Sequence, residues 1–278
     1  MNLGQMLNID FRKHKEQLVV AVIFLVVYVP TFFWMWHRWF ARDSYYSHGI
    51  LIPFVTAYLI WQKRDELKKI PVQSSAWGMR LVVFGIIIQI FSALFRIYFS
   101  SGFSMLIVLF GIVLHFYGSK ILREIAFPLS FLIFMVPLPE ALITKISFQL
   151  KIFAAKIAAA TLTNMRIPAV QDGSMIKMRH AYVIVDDVCS GLRSLISLGA
   201  LGAIFAYWMK ASLAKRLILF FSTIPIAIVT NVIRIIFLST VSEIWGPQYI
   251  QGFIHELSGF IVFGLGFLFL YTIGRLLE

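Results

Sequence analysis

Charge is scarce in this chain: only 14% of its 278 residues are Asp, Glu, Lys or Arg, while 60% are hydrophobic. A soluble domain carries roughly a quarter charged residues, so this share excludes a water-soluble globule. Acidic residues are the rarer sign, 13 against 25 Lys and Arg. The net charge of +12 does not by itself imply nucleic acid, because short cytoplasmic loops of membrane proteins carry the same excess; the positions of the charges decide. The single cysteine, Cys189, excludes an intramolecular disulfide framework. No small-residue cleavage site follows the basic cluster of Arg12, Lys13, His14 and Lys15, so the first apolar run is expected to be an uncleaved helix. Also missing are a Walker-type loop, zinc-ligand spacing, an acidic cluster suited to metal-dependent phosphotransfer, internal repeats and low-complexity tracts. No cofactor or metal is expected, and nucleic acid is not an expected partner.

What the sequence does have is long apolar runs separated by short basic loops. Runs at 18–36, 50–61, 81–99, 103–116, 125–136, 192–209, 217–238 and 257–273 predict about eight transmembrane helices, since about 20 apolar residues cross the hydrocarbon core. The second, fourth and fifth are short, and borrow polar flanks, tilt, or pack inside the bundle. Lys and Arg cluster near 12–15, 63–80, 120–123 and 210–216 and at Arg275, whereas the short loops of the opposite side hold only Arg38 and Arg42. The long outer segment adds Lys145, Lys151, Lys156, Arg166, Lys177 and Arg179, but a segment of that length is less bound by the positive-inside rule and weakens the asymmetry only modestly. By the positive-inside rule both termini are then cytoplasmic. A single membrane-embedded domain over 1–278 is expected.

The long outer segment 138–188 has its own character. Over 141–163 basic and apolar residues interleave after Pro137 and Pro139, which predicts an extracytoplasmic amphipathic helix at the interface. Beyond it Gly173 separates short runs, and Met175 to Met178 and Tyr182 to Val185 favour extended structure, predicting a small β-hairpin that leads into Cys189. The fold class is an all-α polytopic membrane protein carrying this helix and hairpin.

Cys189 lies in Asp186-Asp187-Val188-Cys189-Ser190-Gly191-Leu192-Arg193, where a polar segment meets the start of an apolar helix. Backbone N–H groups and the positive dipole end at such a place favour thiolate and also suit an oxyanion. The plain alternative is a small buried hydrophobe, as most lone cysteines in membrane helices are. Arg193 shares a helical face with Cys189, and either adds positive charge or pairs with Asp186 or Asp187. In the seventh run Asn231 and Arg234 are three residues apart and project from one face. Arg234 is either turned inward and paired or snorkels to the outer headgroups. His255 opens the last run on the same outer side, either as a proton carrier or as an interfacial anchor. His48, in Tyr46-Ser47-His48-Gly49, lies at that level too and reads as more structural than catalytic. The charge-derived topology places Cys189, Arg234 and His255 at one depth on one side. A nucleophile, a cation and a base are the groups that acyl transfer requires.

Four stretches together resemble the exosortase/archaeosortase family of membrane cysteine transpeptidases. They are Ser47-His48-Gly49-Ile50-Leu51-Ile52-Pro53, Val188-Cys189-Ser190-Gly191-Leu192-Arg193-Ser194, Asn231-Val232-Ile233-Arg234-Ile235, and His255 at the last helix start. Their order and spacing match over nearly the whole chain. The resemblance implies that Cys189 is the nucleophile, Arg234 the cationic partner and His255 the third catalytic member, with Asn231, Arg193, Ser190 and His48 in support. It further implies cleavage of membrane proteins bearing a C-terminal sorting signal, a Pro-Glu-Pro-like motif followed by a transmembrane helix and a basic tail. Transfer then goes to a lipid or surface-polymer acceptor. Some relatives carry an additional soluble C-terminal domain; the chain here ends shortly after the last predicted span, so only the membrane activity is expected. The rival readings are a transporter or flippase for an anionic lipid or polysaccharide precursor, with Asn231 and Arg234 lining the path, and a non-catalytic scaffold that recruits envelope proteins.

Overall fold

The structure, a computed structural model, describes residues 3–42, 44–186, 190–250 and 252–278. The chain divides into two compact units, one formed by residues 1–41 and 47–137 and the other by 42–46 and 138–278.

The first unit is helical throughout. Its elements are α1 (Leu3–Trp39), α2 (Ile52–Gln62), α3 (Arg64–Leu67), α4 (Ala76–Leu94), α5 (Tyr98–Tyr117) and α6 (Ser119–Phe131). Helices α4 and α5 form a tight antiparallel pair: a Cβ on Gly78 would lie 2.3 Å from the His115 backbone nitrogen, so only glycine permits the approach. Apolar surfaces give helices in lipid no hydrophobic reason to associate, and hydroxyls supply the missing specificity. Tyr28 of α1 meets Ser104 of α5 at 2.7 Å, and Ser104 in turn donates to the Gly85 carbonyl of α4, also at 2.7 Å.

Two of the predicted spans are too short here to cross alone. Helix α2 has 11 residues and α6 has 13, lengths of about 17 and 20 Å against a hydrocarbon core of roughly 30 Å. They pack against each other instead. Thr56 donates to the Pro128 carbonyl at 3.2 Å, and Lys63 pairs with Glu124 at 3.0 Å. Arg96, within the apolar run 81–99, lies in the exposed α4–α5 turn with φ 55°.

The second unit comprises α7 (Glu140–Asn164), three short strands, β1 (Val170–Asp172), β2 (Met175–Lys177) and β3 (Tyr182–Ile184), and helices α8 (Leu192–Trp208), α9 (Leu213–Trp245) and α10 (Phe253–Leu277). The strands make one antiparallel sheet in the order β1-β2-β3, with Ile176 opposite Val183. The predicted hairpin is present with one strand added. Its inner face buries Ile176 and Val185 on an alanine-rich face of α7 (Ala154, Ala155, Ala158) and on Val232 and Ile235 of α9. Lys145 and Lys156 lie on the exposed side of α7. That helix, predicted as interfacial, is long and apolar enough to cross a membrane.

Among the described residues, six helices have the length and composition of membrane spans: α1, α4, α5, α7, α9 and α10; α8 is a shorter apolar helix. Large apolar side chains cover their outer faces, as Phe260 at 77% exposure illustrates, which only a lipid solvent makes favourable.

Candidate active site

The start of α8 is set by Gly191, whose φ of 82° and ψ of −8° are left-handed. A side chain there would be strained on backbone grounds alone. It would also meet Asn231 of α9, whose amide group lies 3.0 Å from an ideal Cβ. Ser190 Oγ accepts from the Leu192 N–H at 3.3 Å, occupying one of the N–H groups that a helix start leaves open. Ser190 and Asn231 are both buried.

One turn beyond Asn231 on the same face of α9 stands Arg234, which is only 8% exposed. The guanidinium is turned inward rather than toward headgroups. Its Nε donates to Ser258 Oγ at 2.9 Å and its Nη2 to the His255 carbonyl at 3.0 Å. The Ser258 hydroxyl donates to the same carbonyl at 2.7 Å. Arg234 is therefore pinned to the first two turns of α10, while its Nη1 group has no acceptor among the described residues. Ser258 was not singled out from sequence. The only available signal is its spacing, one helical turn after His255, which matches the Asn231 to Arg234 spacing on the facing helix.

His255 lines a cavity of about 440 Å³ together with β3, Asp186, Ile235, Leu238, Pro247 and Ile250. The charges of Arg234, Asp186, Glu256 and Arg193 act on it. Arg193 sits in the first turn of α8, and its buried Nε has no acceptor among the described residues. No ion pair joins Arg193 to Asp186. Its other expected partner, Asp187, lies with Val188 and Cys189 outside the described residues. The chain reaches that segment from Asp186, beside His255, and leaves it at Ser190, beside Asn231.

His48 belongs to the first unit, in a 3₁₀ turn over Ser47–Leu51. Burial lowers its pKa from 6.5 to about 4, so it is neutral at neutral pH.

A buried cation, an imidazole facing a cavity and a helix N-terminus thus occupy one end of the second unit. Together they can stabilise a developing oxyanion and carry a proton. Among the described residues no group of three or more His, Cys, Asp or Glu is arranged to hold a metal ion.

Fold and site define a multi-pass helical membrane protein with a polar centre between its helices. The family model of the transmembrane exosortases (Exosortase_EpsH) matches residues 34–272, and the chain belongs to that family. Membership points to a membrane transpeptidase that takes part in protein sorting. No curated protein and no solved structure matches the chain.

Proposed function

We propose that the protein is a membrane-embedded cysteine peptidase and transpeptidase that cleaves C-terminal sorting signals at the outer face of a prokaryotic inner membrane. Cys189 is the nucleophile, Arg234 the oxyanion stabiliser and His255 the proton carrier. The observation that supports this most directly is the fixing of Arg234 onto α10 at the His255 carbonyl, with no acceptor for Nη1 among the described residues. A guanidinium locked to a neighbouring helix suits a fixed electrostatic role better than a translocation path for anions.

In this reading the substrate's transmembrane helix docks in the membrane and leaves its sorting motif beside the site. The Cys189 thiolate adds to the scissile carbonyl, and Arg234 with backbone N–H groups at the start of α8 stabilises the oxyanion. Collapse breaks the C–N bond and leaves a thioester, while His255 delivers a proton to the departing amine. A nucleophile on a lipid or surface polymer then attacks the thioester, giving its proton to His255 and releasing the thiolate. Asn231 and Gly191 hold the α8 N-terminus against α9, and Arg193 adds positive charge near the thiol.

Co-expression with a reporter ending in a sorting motif, a transmembrane helix and a basic tail tests the proposal. Cys189→Ala is expected to abolish processing while the enzyme stays inserted, and mass spectrometry of the wild-type product should show a new C-terminus carrying the acceptor. Continued processing by Cys189→Ala would sink the assignment.

A further inference from the structure

The outer strand β3 has a free edge. Val185 N donates to the Ser174 carbonyl and Met178 N to the Ala181 carbonyl, both at 2.9 Å. The Ala181 carbonyl and the Val185 N–H therefore point toward β2, and by alternation so do the main-chain groups of Val183, which is opposite Ile176. Tyr182 and Ile184 point theirs the other way, and among the described residues these groups have no partner. Unpaired edge groups are a template for another strand. Tyr182 and Ile184 line the same 440 Å³ cavity as His255 and Asp186, within the roughly 300–1,000 Å³ usual for ligand sites. The opposite wall is apolar, formed by Ile235 and Leu238 of α9 and by Pro247 and Ile250.

We infer that the sorting motif of the substrate binds as an added strand on the edge of β3, so that β-augmentation, not a side-chain pocket alone, presents the scissile bond. The inference rests on the peptidase reading above and specifies its substrate-binding mode. A residue opposite Ile184 exchanges main-chain hydrogen bonds with it, and the added chain lies alongside β3 as that strand runs on to Asp186. Successive side chains of an added strand alternate in direction. Every second one faces the Ile235 and Leu238 wall with Val183 and Val185, while the others point outward with Tyr182 and Ile184. The occupant is thus an extended peptide with apolar or small residues at alternate positions. A compact headgroup or a helix would leave the edge amides unmatched.

The test uses the full chain carrying Cys189→Ser and Ile184→Cys, which leaves one thiol at the edge and no nucleophile. It is co-expressed with the same sorting-signal reporter bearing single cysteines at successive motif positions, then treated with a short thiol cross-linker. Cross-linking at alternate positions is expected. Equal cross-linking at consecutive positions, or none at any of them, overturns strand addition. Ile184→Pro in the active enzyme removes one edge N–H without touching the β2 ladder, and should lower processing at limiting reporter by about tenfold, chiefly through KM. Processing within twofold of wild type would overturn the inference as well. Because the cross-linking needs no catalysis, its pattern stands apart from the Cys189→Ala result: continued processing by that variant removes the peptidase mechanism, whereas an absent alternation removes the strand.

Discussion

The Arg234 guanidinium donates to the main-chain carbonyl of His255 at 3.0 Å while its Nε binds Ser258 at 2.9 Å. Two donors in a fixed fork couple α9 to α10, and a lysine ammonium cannot reproduce that geometry. Arg234→Lys is therefore expected to lower kcat by about 10²–10³-fold, the usual loss when an oxyanion donor is removed, with KM little changed. Ser258→Ala, which loosens the fork without removing the charge, should cost about tenfold in kcat. Steady-state cleavage of a sorting-signal reporter by purified enzyme measures both. An Arg234→Lys enzyme retaining more than a tenth of wild-type kcat would take Arg234 out of this role.

Gly191 is required twice over, by its left-handed backbone and by Asn231 at 3.0 Å. Gly191→Ala should cost about 1–2 kcal/mol of backbone strain and about 1–3 kcal/mol of overpacking. In an Asn231→Ala background the second part should vanish and the first remain. Comparison of the Tm values of the four proteins in detergent separates the two. An identical Gly191→Ala penalty in both backgrounds would contradict the packing argument.

Tyr182 to Val185 read as extended, but all four residues are apolar, so the face that β3 buries was not legible. The long helices were legible because their apolar runs exceed what a bilayer needs. Crossing and non-crossing elements were less so. Helices α2 and α6 carry apolar runs much like spans, and it takes contacts such as Lys63–Glu124 and Thr56–Pro128 to show them packed together. The basic residues of α7 suggested an interface helix, yet Lys145 and Lys156 occupy one side while alanines on the other bury against α9. At the site, Asn231, Arg234 and His255 stood out as polar residues in apolar surroundings. Ser258 did not, because serines in apolar helices commonly bond their own backbone, and nothing local marks the one that also accepts from an arginine.

Glu243, near the end of α9, holds the hairpin through its main chain: its carboxylate accepts from His180 N at 3.0 Å and Ala181 N at 3.1 Å. A charged acceptor makes these stronger than neutral hydrogen bonds, about 1.5–3 kcal/mol. Glu243→Ala should accelerate hydrogen exchange at residues 180 and 181 by about tenfold or more, with little change in α9 itself. Unchanged protection at these two amides would mean that the sheet is held by its packing on α7 and α9 without the Glu243 carboxylate.

His48 gives the first unit an acid-sensitive element. Its pKa is lowered to about 4 by burial, below the unfolded value of about 6.5. Between these values the unfolded chain binds the proton and the folded chain does not, so stability rises with pH across that window. The contribution is fully present above pH 6.5, and roughly 3 kcal/mol is lost as the pH falls through about 4. His48→Gln keeps a polar side chain of similar size and removes the titration. The Tm of the wild type should therefore fall more steeply than that of His48→Gln between pH 6.5 and 4, with parallel curves above pH 7. Curves that stay parallel down to pH 4 would show that the imidazole is solvated in the folded protein.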